Sequence, residues 1–211
     1  VINKVHLKWE GGQVVDSASP VSGAININHN NREVKLLFDG VSFKNNVQTS
    51  SSSYPNDEWR HSGGAVTVQE RGSTNVVELA FQRCSFTQNT ARRYGGAVYL
   101  SKNVKTATLN QCEFNGNTAL LGGGNDVFIK SGVKNDTVRI INAKVKASNY
   151  QKDSNGIIRT GFESENVHAI SQCDESTLLN HSVCLSLDDR CISRPTSLIG
   201  GNGKLSYVNV A

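Results

Sequence analysis

One short pattern recurs along the chain in a fixed order and limits the folds that it can adopt. The segment 84–100 reads CSFTQNTARRYGGAVYL, and the segment 112–129 reads CEFNGNTALLGGGNDVFI. Both contain Cys, Phe, Asn, Thr-Ala and paired glycines in the same order, with their cysteines 28 residues apart. Repeats with a period of about 20–50 residues are typical of solenoids, propellers and arrays. The pattern therefore indicates a structural building block rather than an isolated site.

Weaker copies extend this pattern along the chain. Openings of the Gly-Gly-Ala type are found at 22–27, 63–68, 95–100 and 122–129, and Phe-x-x-Asn segments at 41–46, 84–89 and 112–117. Strand-like runs precede the Phe segments at 34–38, 76–81 and 106–110, and a fourth such run spans 137–147. Helical periodicity is not evident in the first 147 residues, so we expect an all-β protein.

The repeat predicts a parallel β-helix. A propeller blade needs four antiparallel strands with hairpin turns such as Asn-Gly, and a unit of this length is too short for one. In a parallel β-helix each coil contributes three short strands, and successive coils stack about 4.8 Å apart. We expect roughly seven or eight coils and a rod about 35–40 Å long.

Stacked coils place equivalent residues directly above one another. We therefore expect an inward ladder of phenylalanine rings and a corner ladder of asparagines, whose amides bond to each other and to turn carbonyls. Paired glycines at the turns allow a positive φ and a close approach of the coils. The predicted ladder residues are Phe43, Phe86, Phe114, Asn46, Asn89 and Asn117, and the predicted turn residues are Gly63, Gly64, Gly95, Gly96, Gly122 and Gly123.

We interpret residues 1–211 as a single β-helix domain from a longer chain, with clear repeats at 21–147. An irregular segment at 165–198 carries three cysteines, and we expect it to form a loop or cap region held by a disulfide. The segment 199–211 resembles the opening of a further coil. These boundaries follow from where the repeat is clear and where it breaks down.

The chain contains five cysteines, which are all candidates for disulfide bonds: Cys84, Cys112, Cys173, Cys184 and Cys191. Cys84 and Cys112 share the inward face with Phe86 and Phe114, and their stacking predicts either a pair of free thiols or a bridge. The three C-terminal cysteines favour an oxidising compartment. Glycosylation motifs at Asn135 and Asn180 agree with this interpretation.

The linked motifs Phe-x-x-Asn-x-Ala and Gly-Gly-Ala-aliphatic resemble the repeats of chlamydial polymorphic membrane proteins and of similar surface proteins of protists. The resemblance covers about residues 21–129, and its matching residues are Phe86, Asn89, Ala91, Gly95, Gly96, Ala97 and Val98, then Phe114, Asn117, Ala119, Gly122 and Gly123. It implies a right-handed parallel β-helix at an extracellular or cell-surface location, with adhesion as the usual role. The cysteine-bearing tail and the glycosylation motifs are more typical of a eukaryotic surface protein.

Two functions remain open at this point. The first is a non-enzymatic surface protein that serves as an adhesin, a surface coat or a fibre subunit. The alternative is a carbohydrate-active β-helix enzyme, a polysaccharide lyase or a glycoside hydrolase, which needs two carboxylates about 5–10 Å apart in a cleft. We expect no catalytic residues, because the acids are few and unmatched: Glu78, Glu113 and Asp126 in the repeats, Asp57 and Glu58 near His61, and Asp188 and Asp189 beside Arg190.

A polar insertion at 47–61 provides the binding candidate. It carries Tyr54, Trp59 and Arg60, which suit contact with a protein or a glycan at a cell surface. Alternatively, the insertion folds back so that Trp59 covers the side of the β-helix. Either arrangement makes the insertion a departure from the repeat.

Other partner classes have little support in the sequence. The five histidines lack ligand spacing, so we expect no metal and no cofactor. A diffuse net charge of +4 without an aromatic platform argues against nucleic acid. We expect a membrane link only through segments outside this chain. Self-assembly through the open ends of the β-helix is a further expectation, because an uncapped end exposes strand edges.

Overall fold

The computed structural model describes residues 4–29, 32–49, 58–70, 76–134, 137–145, 151–152, 158–159, 161–165, 170–173, 197–201 and 204–208. Within these residues the chain forms an all-β parallel solenoid of about four turns, which confirms the parallel β-helix. The one helix in this part of the chain is a 3-10 helix at Glu58–His61.

Each complete coil contains four short strands rather than the three expected, and equivalent strands align into four sheets that we name A to D. Sheet A contains β1 (Lys4–Glu10), β5 (Glu33–Asp39), β9 (Val77–Gln82), β13 (Val104–Asn110), β17 (Val138–Ile141) and β22 (Ile170–Cys173). Sheet B contains β2 (Gln13–Val15), β6 (Ser42–Lys44), β10 (Ser85–Thr87), β14 (Glu113–Asn115) and β18 (Lys144–Val145). Sheet C contains β3 (Ala18–Ser19), β7 (Val47–Gln48), β11 (Thr90–Ala91) and β15 (Thr118–Ala119). Sheet D contains β4 (Ile25–Ile27), β8 (Val66–Val68), β12 (Val98–Leu100), β16 (Val127–Ile129) and β21 (Phe162–Ser164).

The coils are longer than the repeat suggested. Four of them fill residues 4–129, and a partial fifth follows at 138–164. Coils one, two and four exceed the 28-residue spacing of the two clearest repeats, because the connections into sheets D and A add residues to them.

The corners from sheet A to B and from sheet B to C are two residues long in each of these four coils. The first residue of each corner has a positive φ, which turns the chain sharply. The second residue is buried in coils two to four. The first positions are Gly11, Gly40, Arg83 and Gln111 between sheets A and B, and Asp16, Asn45, Gln88 and Gly116 between sheets B and C.

The interior consists of apolar side chains stacked in register. Val34, Leu36 and Phe38 of β5 lie beside Val77, Leu79 and Phe81 of β9, and the Phe38 and Phe81 rings stack at 5.3 Å. In sheet B, Phe86 pairs with Phe43 on one side and with Phe114 on the other. These rings stack at centroid distances of 4.8 and 4.9 Å. Burial of each ring contributes about 2–3 kcal/mol, so the ladder is a principal source of stability.

The C-terminal part of the chain departs from the parallel pattern. Strands β19 (Gln151–Lys152) and β20 (Ile158–Arg159) pair antiparallel, and so do β23 (Ser197–Gly201) and β24 (Lys204–Val208). The latter pairing differs from the parallel coil expected at 199–211. Cys184 and Cys191 lie outside the described residues, so the cysteine-bearing cap stays a prediction.

Candidate interaction surface

The connection from sheet C to sheet D changes in length from coil to coil, whereas the two preceding corners do not. It spans residues 20–24, 49–65, 92–97 and 120–126 in coils one to four, and we name it the variable corner. Proteins commonly place binding residues on loops of variable length that a rigid scaffold positions. The variable corner is therefore the candidate interaction surface.

The asparagine ladder holds the chain in register just before this corner. Asn46 donates from Nδ2 to Oδ1 of Asn89 over 2.9 Å, and Asn89 donates in the same way to Asn117 over 2.9 Å. Each side chain also donates to a strand carbonyl, such as that of Phe43 for Asn89. Asn117 donates to Oδ1 of the buried Asp126 over 2.7 Å. The amides thus satisfy the buried polar groups of the corner that leads into sheet C.

The turn glycines lie at the end of the variable corner. Gly63 and Gly95 have positive φ as predicted, but in coil four the equivalent residue is Gly124. The positive φ predicted for Gly122 and Gly123 is wrong, because Val98 pairs with Val127 and coil four has one more residue here than coil three. Gly122 does lie close to coil three, since an added Cβ would overlap the Arg93 carbonyl oxygen. Gly64 and Gly96 serve a different purpose. A Cβ at either position would overlap a carbonyl oxygen of the next coil.

Trp59 is buried rather than presented to a partner. Its side chain is 3% exposed and packs with Tyr99 and Phe128 on the outer face of sheet D. Tyr94 stacks on Phe128 at 4.3 Å, and the Arg60 guanidinium lies 5.1 Å from the Trp59 ring centre. The structure therefore supports the alternative in which the insertion folds back. The prediction that Trp59 is exposed for contact with a partner is wrong. Tyr54 lies outside the described residues, and so do Asn135 and Asn180.

An exposed apolar pair lies on the variable corner and was not identified from the sequence. Leu120 and Leu121 are 61% and 66% exposed, the highest values among the large hydrophobic side chains of the described chain. Their backbone N–H groups donate to the carbonyls of Ala91 and Arg92 over 3.0 and 2.9 Å. This places the pair beside Arg92 and Arg93 of coil three. The sequence did contain a signal for this pair: Leu120 and Leu121 occupy the positions that Arg92 and Arg93 occupy in the preceding, otherwise matching repeat.

Cys84 and Cys112 are buried free thiols that occupy equivalent positions in neighbouring coils. Cys84 Sγ donates to the carbonyl of Phe38 over 3.3 Å. A hydrogen bond with Cys84, together with burial, raises the pKa of Cys112 well above its ordinary value. Of the two alternatives left open by the sequence, the structure contains the free thiols, which act as small fillers of the interior.

The acidic residues of the repeats have structural partners. Glu78 lies between Lys35 and Lys105, at 3.5 and 2.8 Å, and its hydrogen bond with Lys105 lowers its pKa. Glu113 lies 3.8 Å from Lys144. The side chains of Asp57, Glu58, Asp188 and Asp189 are outside the described part. Among the side chains that are described, no three from His, Cys, Asp and Glu are grouped so that they could hold a metal ion.

The stacked coils define the class of this molecule as a parallel β-solenoid protein. The family model of the Chlamydia polymorphic membrane protein repeat matches residues 83–101, which run from the corner before β10 to the residue after β12. The match confirms the resemblance to this family and points to a surface or outer-membrane protein. Neither a curated protein nor a solved structure matches the chain significantly. Within the described ranges, no helix is long and apolar enough to cross a membrane.

Proposed function

We propose that the chain is a non-enzymatic part of an extracellular or cell-surface protein, acting as an adhesin, a surface coat or a fibre subunit. The observation that carries the proposal is the family match at 83–101, which includes the variable corner of coil three. We further propose that this corner contacts a protein or a glycan on another surface.

The chemistry of the variable corner supports this role. Interfaces are enriched in arginine, and their centres are more apolar than the remaining surface. Leu120 and Leu121 supply an apolar centre, and Arg92 and Arg93 supply its basic border. The Arg93 guanidinium lies 5.6 Å from the Tyr94 ring centre, and this contact keeps the border next to the packed aromatic cluster.

The variable corner is tested by binding of the purified chain to cells and to glycan arrays. We expect the double change Leu120→Asp with Leu121→Asp, and separately Arg92→Glu with Arg93→Glu, to weaken binding about tenfold or more. Lys144→Glu is the matched control, because its exposed side chain lies on sheet B. Equal binding by all variants would exclude the variable corner as the contact surface.

The enzymatic alternative is tested in the same preparation by release of reducing sugar or unsaturated product from surface polysaccharides. We expect no turnover, because Glu78 and Glu113 form ion pairs and Asp126 accepts a buried hydrogen bond, so these carboxylates are not a pair free to act on a substrate. Turnover that is lost on substitution of a carboxylate would replace the adhesin proposal.

A further inference from the structure

The variable corner places two leucines beside two arginines in coils three and four. Strands β11 and β15 pair in register just before it. The pairing continues into the corner, where the backbone N–H groups of the leucines donate to the carbonyls of Ala91 and Arg92. Leu120 therefore lies next to Arg92 at the usual strand spacing of about 4.8 Å. Leu121 lies next to Arg93 in the same way, and we name these four residues the leucine–arginine patch.

An aromatic contact holds one guanidinium of the leucine–arginine patch in place. The Arg93 guanidinium lies 5.6 Å from the Tyr94 ring centre, and that ring stacks on the buried Phe128. The Arg93 N–H donates to the His61 carbonyl over 2.7 Å, which joins the patch to coil two. A ring contacts the flat face of a guanidinium, whereas the five N–H donors point outward in its plane. Arg93 can therefore hold a carboxylate with little further loss of side-chain freedom.

The exposed charge of this part of the corner is positive. The charged side chains of 92–97 and 120–126 are those of Arg92, Arg93 and Asp126. Asp126 is fully buried and accepts a hydrogen bond from Asn117 over 2.7 Å, so it does not face a partner. The neighbouring leucines are the most exposed large hydrophobic side chains of the described chain. A complementary surface therefore presents carboxylates next to apolar side chains.

We propose that the leucine–arginine patch binds an acidic segment of a partner protein, in which carboxylates flank apolar side chains. This binding mode rests on the proposed function and narrows its partner from a protein or a glycan to a protein. An acidic glycan would match the arginines, but it would set its hydroxyl groups against leucine side chains that offer no hydrogen bond. Sugar rings pack well on exposed aromatic faces, and here the rings of Trp59, Tyr99 and Phe128 are buried.

The size of the patch determines the strength of the contact. A standard interface contains about 20–30 residues on each side, so we expect one copy of the chain to bind its partner with a Kd of about 10 μM or weaker. Several copies displayed together bind more tightly, because each bound copy raises the effective concentration of the next. This gain suits a surface coat or a fibre, which presents the same chain many times.

A random peptide library displayed on beads tests the chemistry of the partner. We expect a multivalent form of the wild-type chain to enrich peptides with acidic residues beside aliphatic or aromatic ones, by about threefold or more over the starting library. Arg92→Glu with Arg93→Glu should reverse the charge preference, so that basic residues replace the acidic ones. Leu120→Asp with Leu121→Asp should abolish the enrichment of apolar residues. A reversed preference cannot result from unfolding of the variant.

Lys44→Glu with Lys144→Glu is the matched control, since it reverses the same number of positive charges and both exposed side chains lie on sheet B. We expect it to retain the preference of the wild type. Three outcomes overturn the binding mode. They are no enrichment of acidic peptides by the wild type, an acidic preference that survives reversal of Arg92 and Arg93, and displacement of the chain from cells by the sulfated glycan heparin but not by an enriched peptide.

The cell-binding assay and the peptide library separate this binding mode from the proposed function. Equal binding of all variants to cells removes the variable corner as the contact surface, and the acidic partner with it. Binding to cells that depends on the corner, without an acidic preference in the library, removes the acidic protein partner alone.

Discussion

Asn89 donates both its backbone N–H and its side-chain Nδ2 to Oδ1 of Asn117, each over 2.9 Å. Asn46 donates the same two groups, its backbone N–H and its Nδ2, to Oδ1 of Asn89. One asparagine therefore satisfies backbone and side-chain donors of the preceding coil. Buried donors that lose their acceptor cost about 1–3 kcal/mol each, so the corner tolerates few other residues.

Asn89→Ala is expected to lower the free energy of unfolding by about 2–4 kcal/mol, because it leaves the two donors of Asn46 and the Phe43 carbonyl without their partner. Urea denaturation followed by circular dichroism measures this change. Asn115→Ala on the partly exposed strand β14 is the control and should change stability by less than about 0.5 kcal/mol. Similar losses for both variants would contradict the role of the ladder.

Phe86→Ala is expected to cost about 3–5 kcal/mol, since the ring is fully buried and stacks on two neighbours. Phe86→Leu retains most of the volume and should cost about 1–2 kcal/mol, including the lost ring stacking. Thermal denaturation compares the two variants. A cost for Phe86→Ala no greater than that for Phe86→Leu would show that the ladder does not fill the interior.

Gly96→Ala is expected to cost about 3 kcal/mol or more, because an added Cβ would overlap the Asn125 carbonyl oxygen and the Thr118 backbone. Gly40→Ala separates this steric effect from backbone strain. Gly40 has φ +65 but nothing within 4 Å of an added Cβ, so its cost should be about 1 kcal/mol. Chemical denaturation of both variants measures which substitution costs more stability. A larger cost for Gly40→Ala than for Gly96→Ala would contradict the close approach of the coils.

Cys112 is expected to react slowly with iodoacetamide in the folded chain and rapidly in urea, as followed by peptide mass spectrometry. Its pKa in the folded chain is raised above the ordinary value of 9.0 by its hydrogen bond with Cys84 and by burial. The folded state therefore retains a proton that the unfolded state releases, and the resulting stability is lost as pH rises above about 9.

Cys112→Ala provides the control for this pH dependence, because alanine already occupies the equivalent position of the next coil at Ala143. The variant should lose less stability than the wild type as the pH rises above about 9. Identical pH profiles, or rapid labelling of the folded wild type, would contradict the prediction.

The sequence was sufficient to predict the stacked phenylalanines and asparagines, because residues such as Phe86 and Asn89 keep one spacing in three coils. It was not sufficient for the fourth strand, since two-residue strands such as β11 carry no alternation. The positive φ of Arg83 and Gln88 could not be predicted from residue type either, because these side chains are not typical of that conformation. The backbone conformation at these two corners is set by pairing with the neighbouring coils.

The candidate surface was predicted less well, for a related reason. Trp59 belongs to a polar insertion, and only the tertiary position of Tyr99 and Phe128 explains its burial. The exposure of Leu120 and Leu121 likewise depends on the outward direction of the variable corner. In coil four the extra residue moved the turn to Gly124, which an alignment of glycines alone did not detect.

The unequal lengths of the variable corner have a consequence for how this protein can diversify. Sheets C and D keep their register across connections as different as 20–24 and 49–65, so an insertion or deletion there is absorbed within one coil. We accordingly expect that foreign peptides of various sizes can be grafted at this position without rebuilding the frame.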